Sequence, residues 1–289
     1  MPELIEVEAY RQLAELALER KIVEIVAPDA WWLKGGLSAD VLTDALVGRH
    51  FLAARRTGKR LMLDTSEDGP VLGLKFGMTG RLMVDGRLGV EKLEYSSNRE
   101  VEAWDRLVVC FADGGDLRVR DPRRLGGAEL DPAEGKLGPD AVGLTLAGLR
   151  KVLGDNRPGG RGVSPRQGRR EPSKVALKAR LMDQSKIAGL GNLLVDEALF
   201  QAGLDPARPA GGLDDQELKS LHKSIRATLR NLTRRGGSHT GALQPARHRD
   251  GLCPLDGAPL LRRTIGGRTT YSCPVHQHSG ASPASPDAD

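Results

Sequence analysis

The chain has 289 residues, and 43 Lys and Arg against 38 Asp and Glu give it a formal net charge of +5. This length suits roughly two domains, and the basic surplus favours a polyanionic partner. Three cysteines exclude a disulfide scaffold, and no signal peptide or apolar run of about 18 residues is present, so we expect a cytoplasmic protein without membrane contact.

The N-terminal half predicts one helix followed by a β-rich region. Pro2 suits a first helical turn because its missing N–H would have no partner there, and Glu3 suits the positive end of the helix dipole. Between Lys21 and Leu130, short apolar runs alternate with turn signals, which is typical of an antiparallel sandwich or barrel. These runs are Ile22–Val26, Leu61–Leu63, Val71–Phe76, Leu107–Phe111 and Leu117–Val119.

Beyond Leu130 the pattern becomes helical. Gly203 should end the helix that opens after the Gly189–Asn192 turn. The predicted helices are Leu146–Leu153, Val175–Met182, the helix that begins near Asn192, and an amphipathic helix carrying Leu218, Leu221, Ile225, Leu229 and Leu232. The stretch Arg157–Lys174 predicts a flexible basic loop.

The second residue could carry covalent chemistry. Removal of the initiator Met, common before a small residue, would expose the secondary amine of Pro2. An α-amine has a pKa near ~8, far below that of a lysine side chain, so much more of it is nucleophilic at neutral pH. Such an amine can attack the C1′ carbon of a nucleotide to form an iminium, with Glu3 as general acid or base. The alternative interpretation is that both residues only begin a helix.

Several turns place cations or apolar side chains at their tips. Lys59 and Asn192 could each reach a phosphate, the latter from a helix N-terminus. An enzyme that extrudes a base must fill the gap, and Met78, Arg123 and Leu125 could do so. The alternative in each case is an ordinary solvated turn.

Two short Cys-containing segments near the C-terminus have the spacing of a metal finger. They supply Cys253 with Asp256 and Cys273 with His276, all permissible zinc ligands, so the pattern predicts a small zinc hairpin. Asp256 stands where a Cys would be expected, and the alternative is a zincless hairpin held by its own packing. Arg268, between the two segments, could grip a phosphate from the hairpin tip.

Taken in order, these motifs resemble the formamidopyrimidine-DNA glycosylase / endonuclease VIII family of base-excision repair enzymes. The resemblance covers nearly the whole chain, from Pro2 to about His276. It is carried by Pro2–Glu8, Gly58–Lys59, Gly77–Gly80, Asp121–Gly126, Leu181–Gln184 with Gly189–Asn192, and Arg268 ahead of Cys273.

The resemblance implies an α+β fold with DNA lying across a cleft between two domains. The domains would be an N-terminal catalytic β-sandwich flanked by helices (residues 1–132), a helix–two-turn–helix DNA-binding domain (133–238), a zinc or zincless finger (239–278) and a disordered tail (279–289).

The resemblance also implies a monomeric, nucleoid-associated DNA glycosylase and AP lyase. It would excise oxidised bases, namely 8-oxoguanine and formamidopyrimidines, from damaged double-stranded DNA through a Schiff base on Pro2 and β- and δ-elimination. It implies that Pro2 is the nucleophile, Glu3 the acid/base and Glu6 a helper near the base or sugar, and that Lys59, Asn192 and Arg268 hold phosphates. Met78, Arg123 and Leu125 would fill the void in the duplex, and Arg124 and Lys178 would face DNA. A structural Zn²⁺ would be held by Cys253, Asp256, Cys273 and His276.

Three departures from the family pattern bear on these expectations. Ile5 replaces a Pro, which a helix tolerates, and Leu125 replaces the Phe of the branch that excises oxidised purines such as 8-oxoguanine and formamidopyrimidines. Asp256 and His276 replace two Cys. The alternatives are therefore excision of oxidised pyrimidines, as by endonuclease VIII, or a damaged-DNA-binding protein without catalysis. An RNA- or ribosome-associated helical module would leave the N-terminal half without a role.

Overall fold

The computed structural model describes residues 2–97, 99, 101–154 and 173–279, in two compact units. The first unit comprises the chain up to Leu137 together with Leu232–His239, and the second comprises Gly138–Asn231 and the chain from Thr240 onward. The predicted tail beyond Ser279 and nearly all of the predicted basic loop lie outside the described residues. The predicted domain boundaries stay predictions.

The first unit contains two antiparallel sheets, as the alternating apolar runs predicted. The strands are β1 (Ile22–Val26), β2 (Phe51–Thr57), β3 (Arg60–Thr65), β4 (Leu72–Lys75), β5 (Arg81–Val84), β6 (Arg87–Leu88), β7 (Asp105–Phe111), β8 (Asp116–Arg120) and β9 (Gly127–Leu130). The first sheet has the strand order β1-β7-β8-β5-β6 and the second has the order β2-β3-β4-β9.

One hydrophobic core joins both sheets and two helices, which makes this unit a β-sandwich. In β7, buried residues alternate with half-buried residues along the whole strand, because successive side chains point to opposite faces of the sheet and one face packs on the core. Helix α1 (Leu4–Ala14) adds Val7 and Tyr10 to the core, and helix α2 (Ala39–Leu46) adds Leu42 and Leu46. The α1 helix was predicted. Helix α2, which Ser38 caps, and strands β2, β5, β6 and β9 were not predicted.

The second unit is mainly helical. Its helices are α3 (Leu146–Leu153), α4 (Leu177–Met182), α5 (Asn192–Ala202) and α6 (Asp215–Arg234). Asn192–Phe200 is buried throughout, so α5 is the central helix of this unit. Gly203 ends α5 in the left-handed conformation at φ 69°, as predicted.

A two-stranded hairpin of β10 (Leu261–Ile265) and β11 (Arg268–Ser272) belongs to the second unit. Gly266 and Gly267 form its turn with φ values of 58° and 71°. Two successive positive φ values are the geometry of a tight hairpin turn, which glycine adopts without strain. The predicted α+β fold with a C-terminal hairpin is therefore confirmed. No helix in the described ranges combines the length and apolar character needed to cross a lipid bilayer.

Candidate active site and nucleic-acid interface

The N-terminus of α1 places Pro2 beside a buried carboxyl group. Pro2 and Glu3 are both buried, and Glu3 is the N-cap residue of the helix. Its side chain accepts a hydrogen bond from the backbone N–H of Glu6, while Glu6 Oε2 accepts one from the Glu3 N–H at 2.8 Å. This reciprocal capping box satisfies two helix-end donors. It therefore fixes the backbone from which the proline ring projects.

Glu6 is also tied to a segment that lies far away in sequence. Its Oε1 accepts a hydrogen bond of 2.6 Å from the backbone N–H of Ser238. The preceding Gly237 has φ 146°, and a Cβ on it would lie 3.1 Å from Glu6 Oε1 and 2.9 Å from His239 Nδ1. Glycine is thus required at this position. The local sequence of Gly236–Ser238 is typical of a helix end and does not indicate a contact with Glu6.

Tyr10 connects α1 to the turn that carries Met78. Its hydroxyl donates to the carbonyl oxygen of Gly80 at 3.1 Å, and its ring lies 4.5 Å from that of Phe76. Complete burial, and secondarily the charge of Glu6, raise the pKa of Tyr10 far above its ordinary value, so the phenol stays a hydrogen-bond donor. Tyr10 was not among the residues predicted from the sequence to belong to the site.

The Met78 turn and the Arg123–Leu125 turn lie against each other. A Cβ on Gly77, which has φ 56°, would meet the carbonyl carbon of Leu125 at 2.4 Å, so the two backbones touch there. Leu125 is 46% exposed, Arg123 is exposed and Met78 is half-buried. The structure therefore brings together the two turns that carry the three side chains predicted to fill a gap in the duplex.

Asp121 anchors this pair of turns. It is fully buried, and its Oδ1 accepts from the hydroxyl of Thr79 at 2.6 Å. Its Oδ2 accepts from the Gly126 N–H at 2.7 Å and from the indole N–H of Trp32 at 3.2 Å. One carboxyl group thus joins the Met78 turn, the Leu125 turn and the core. Asp121 belongs to one of the motifs named above, but its local sequence does not indicate this role.

The Arg124 guanidinium has a protein partner. It forms two hydrogen bonds of 2.6 Å with the carboxylate of Asp29 and lies 5.1 Å from the ring centroid of the exposed Trp31. The hydrogen bonds from Arg124 lower the pKa of Asp29 below its ordinary value. This effect outweighs burial, which raises the pKa. The geometry favours a role in fixing the turn, while the predicted contact of Arg124 with DNA stays a prediction.

Lys59 lies in the turn between β2 and β3, where Gly58 has φ 60°. The neighbouring Arg56 donates to Glu8 Oε2 on α1 at 2.9 Å and to the Gly58 carbonyl at 2.9 Å. The turn is thereby attached to the helix that begins beside Pro2. Lys59 itself is half-buried.

In the second unit, the side chain of Asn192 contacts the backbone of the hairpin close to its tip. Asn192 is the first residue of α5, as predicted, and its Nδ2 donates to the carbonyl oxygen of Thr269 at 3.4 Å. Gln184 braces the preceding turn by donating to the Leu190 carbonyl and accepting from the Gly189 N–H. Arg268, next to Thr269, is exposed at the start of β11. The side chain of Asn192, one predicted phosphate-binding residue, therefore contacts the backbone next to Arg268, another.

Lys178 is a buried cation, which its sequence pattern did not indicate. We expected its side chain to face DNA, but it is 0% exposed, with its Nζ 2.7 Å from Asp196 Oδ1. A long charged side chain is usually solvated, and no local pattern distinguishes the buried exception. Contact with DNA stays untested for Lys178, but this buried position does not support it.

Cys253, Asp256, Cys273 and His276 form a cluster that could hold a metal ion. One ligand atom from each lies within 4.8 Å of the others. Cys253 Sγ is 3.5 Å from His276 Nδ1, and Cys273 Sγ is 3.1 Å from Asp256 Oδ2. Tetrahedral bonds to zinc of about 2.0–2.3 Å require ligand separations of roughly 3.3–3.8 Å, so the four groups lie near the spacing that a zinc ion would need.

The surroundings of the cluster are also those of a metal site. The backbone N–H groups of Leu255 and Val275 donate to the two Cys sulfurs at 3.4 and 3.3 Å. His276 Nε2 lies 3.2 Å from the carbonyl oxygen of Phe200, which leaves Nδ1 for the cluster. Burial raises the pKa of the Cys273 thiol to about 11, so a bound cation would have to displace its proton.

Comparison with known proteins gives consistent results for the whole chain. The family model of the formamidopyrimidine-DNA glycosylase N-terminal domain matches residues 1–128, and the H2TH domain model of the same family matches residues 164–243. The chain is 32% identical over 296 residues to a formamidopyrimidine-DNA glycosylase of Brevibacillus brevis, covering 95% of this chain and 98% of that protein. It is 32% identical over 298 residues to one of Paracoccus denitrificans, covering 96% and 100%.

Solved structures extend this similarity to three dimensions. One is a complex between the Lactococcus lactis Fpg and DNA containing an abasic site, with a TM-score of 0.75 and 25% identity, covering 96% of this chain and 99% of that one. Another is MutM in complex with DNA containing carbocyclic 8-oxo-G, with a TM-score of 0.74 and 26% identity, covering 96% and 99%. The chain therefore belongs to the formamidopyrimidine-DNA glycosylase family, as its ordered motifs predicted.

Proposed function

We propose that this protein is a bifunctional DNA glycosylase and AP lyase that excises oxidised purines, including 8-oxoguanine and formamidopyrimidines, from duplex DNA. The observation that carries the proposal is the placement of Pro2 beside Glu3, the buried N-cap residue of α1. A protein that only binds DNA has no need of a terminal secondary amine next to a buried carboxyl group. Relatives crystallised with abasic-site and 8-oxo-G DNA support the substrate class.

In the proposed reaction the Pro2 nitrogen, freed by removal of Met1, attacks C1′ of the damaged nucleotide. The N–C1′ bond forms, the bond from C1′ to the base breaks, and the departing base takes up a proton. The Pro2 nitrogen gives up its proton, the C1′–O4′ bond breaks and O4′ takes up a proton, which leaves an iminium on Pro2. Loss of a C2′ proton expels the 3′ phosphate and loss of a C4′ proton expels the 5′ phosphate. Hydrolysis of the iminium then frees Pro2.

Glu3 is the group placed to donate and recover protons in these steps. It is 0% exposed, so water does not compete with it, and it lies one residue from the amine. Glu6 accepts hydrogen bonds from Glu3 and Ser238, and we assign it the role of holding the α1 N-terminus in register.

The other predicted site residues would bind and open the duplex. Lys59 and Arg268 are cations on tight turns and Asn192 is a neutral donor, a set suited to phosphate oxygens. Met78, Arg123 and Leu125, brought together by the two packed turns, would occupy the space left by a flipped nucleotide. Leu125 is smaller than the Phe typical of the oxidised-purine branch, so its wedge fills less of that space.

Zinc is the cation we expect in the Cys253, Asp256, Cys273 and His276 cluster. It would supply structural crosslinking of the two segments of the finger. Metal analysis of purified protein should give about one zinc per chain, and Cys273→Ser should lose it because a thiolate ligand is removed. Cys110→Ser is the matched control, since Cys110 lies on β7 outside the cluster. Full zinc content in Cys273→Ser would contradict this assignment, and zinc-free wild-type protein with full activity would establish a zincless finger.

The test of the proposed function is a nicking assay on duplexes that each carry a single lesion. We expect cleavage at 8-oxoguanine and formamidopyrimidine, with both 3′ and 5′ phosphate ends as products of β- and δ-elimination. Preferred cleavage at oxidised pyrimidines would instead support an activity like that of endonuclease VIII. Lesion-specific binding without any cleavage would refute the enzyme proposal.

A further inference from the structure

Three charged side chains form a buried cluster in the second unit. Lys178, Asp196 and Arg247 have side chains that are 0%, 1% and 5% exposed, and the Asp196 carboxylate contacts both cations. Buried charges persist only when paired and hydrogen-bonded, because their desolvation is costly. Two cations share one carboxylate here, so further polar contacts must hold them.

Those further contacts come from β11. Lys178 Nζ donates to the Thr270 hydroxyl at 2.7 Å and to the Thr269 carbonyl at 3.4 Å. The Arg247 guanidinium lies 5.5 Å from the ring centroid of Tyr271. The cluster therefore contacts three consecutive residues of β11, and the next residue toward the turn is Arg268.

Asn192 is connected to the same point. Its Nδ2 donates to the Thr269 carbonyl that also accepts from Lys178 Nζ, both at 3.4 Å. The tip of the hairpin rests on α4 as well, because a Cβ on Gly266 would lie 3.0 Å from the Cβ of Ala179, the neighbour of Lys178. Two phosphate-binding candidates thus depend on the position of one short stretch of β11.

We propose that Lys178 is a positioning residue, and that its ammonium group, held by Asp196, sets the hairpin so that Arg268 and Asn192 meet DNA phosphates. Lys178 acts through the hairpin and does not itself contact the nucleic acid. This inference rests on the proposed function for the identity of the ligand, while the hairpin contact itself can be measured without DNA.

Asp196→Asn distinguishes the positioning role of Lys178 from a purely electrostatic effect on DNA binding. The two predict opposite changes in the affinity for DNA. The substitution removes a negative charge, so simple electrostatics predicts tighter DNA binding. If Asp196 holds Lys178 against the hairpin, the dissociation constant for a tetrahydrofuran abasic-site duplex should instead rise roughly 3- to 30-fold. The slope of log K against log salt should also fall by about 0.9, the contribution of one lost phosphate contact. Equal or tighter binding with an unchanged slope would overturn the proposal.

Thr270→Val is a milder variant that keeps every charge and should fold. It should weaken binding to the same duplex several-fold and speed hydrogen exchange at the Thr269–Ser272 amides in the DNA-free protein. Thr228→Val is the matched control, because the Thr228 hydroxyl is buried on α6 and has no hydrogen-bond partner among the described residues. Wild-type exchange and affinity in Thr270→Val would overturn the inference. If wild-type protein shows no preference for the abasic duplex, the proposed function fails, and the exchange measurement still decides the role of Lys178.

Discussion

Glu3→Gln should lower the rate of base excision by about 10²- to 10⁴-fold, the usual contribution of a general acid or base. The variant should keep its fold, because the Gln side-chain oxygen can still accept the Glu6 N–H that Glu3 accepts in the capping box. Its affinity for an abasic-site duplex should therefore stay close to that of the wild type. Single-turnover excision from an 8-oxoguanine duplex, measured beside a binding titration, checks both expectations.

Glu15→Gln is the control for this experiment. Glu15 follows α1, and its side chain is 52% exposed in an ion pair with Arg11. An exposed pair of this kind contributes little to stability, so the variant should excise at the wild-type rate. Unchanged excision by Glu3→Gln would remove Glu3 from the mechanism.

Borohydride should trap a covalent complex between the wild-type protein and an abasic-site oligonucleotide. Reduction converts the transient iminium on Pro2 to a stable amine, so the complex should survive a denaturing gel. Intact-mass measurement should show that Met1 is absent, since a retained Met1 would turn the Pro2 nitrogen into an amide.

Pro2→Gln tests whether the Pro2 nitrogen is the nucleophile by changing the position of the terminal amine. A bulky second residue should cause Met1 to be retained, which moves the terminal amine one residue from its place beside Glu3. Trapping and strand cleavage should then fall to background, while binding to a tetrahydrofuran duplex, which cannot form the iminium, persists. Trapping of Pro2→Gln at the wild-type level would place the nucleophile elsewhere in the chain.

Much of the local structure could be predicted because it depends on neighbours within a few residues. The apolar alternation in β7, the glycine that ends α5 and the spacing of the Cys253 and Cys273 segments are all of this kind. Helix α2 was missed because eight residues with a single capping Ser give a weak signal inside a β-rich region.

Some parts of the candidate site could be predicted from the sequence and others could not. The motifs pointed to Pro2, Glu3 and the two turns predicted to fill a gap in the duplex, but they did not show how these residues are held. Glu6 meets Ser238 across 232 residues, and Trp32 meets Asp121 across 89. Such pairs leave no periodicity in the sequence, because each partner looks like an ordinary polar or aromatic residue in its own segment.

The sequence by itself determined the family and the α+β composition, and it predicted which residues carry the chemistry. Only the tertiary structure decided which charged residues are available to a ligand. It buried Lys178 against Asp196 and paired Arg124 with Asp29, while leaving Arg123 and Arg268 exposed. The physical reason is that chain geometry and side-chain chemistry are local properties, whereas desolvation and ion pairing depend on what the folded chain brings alongside each side chain.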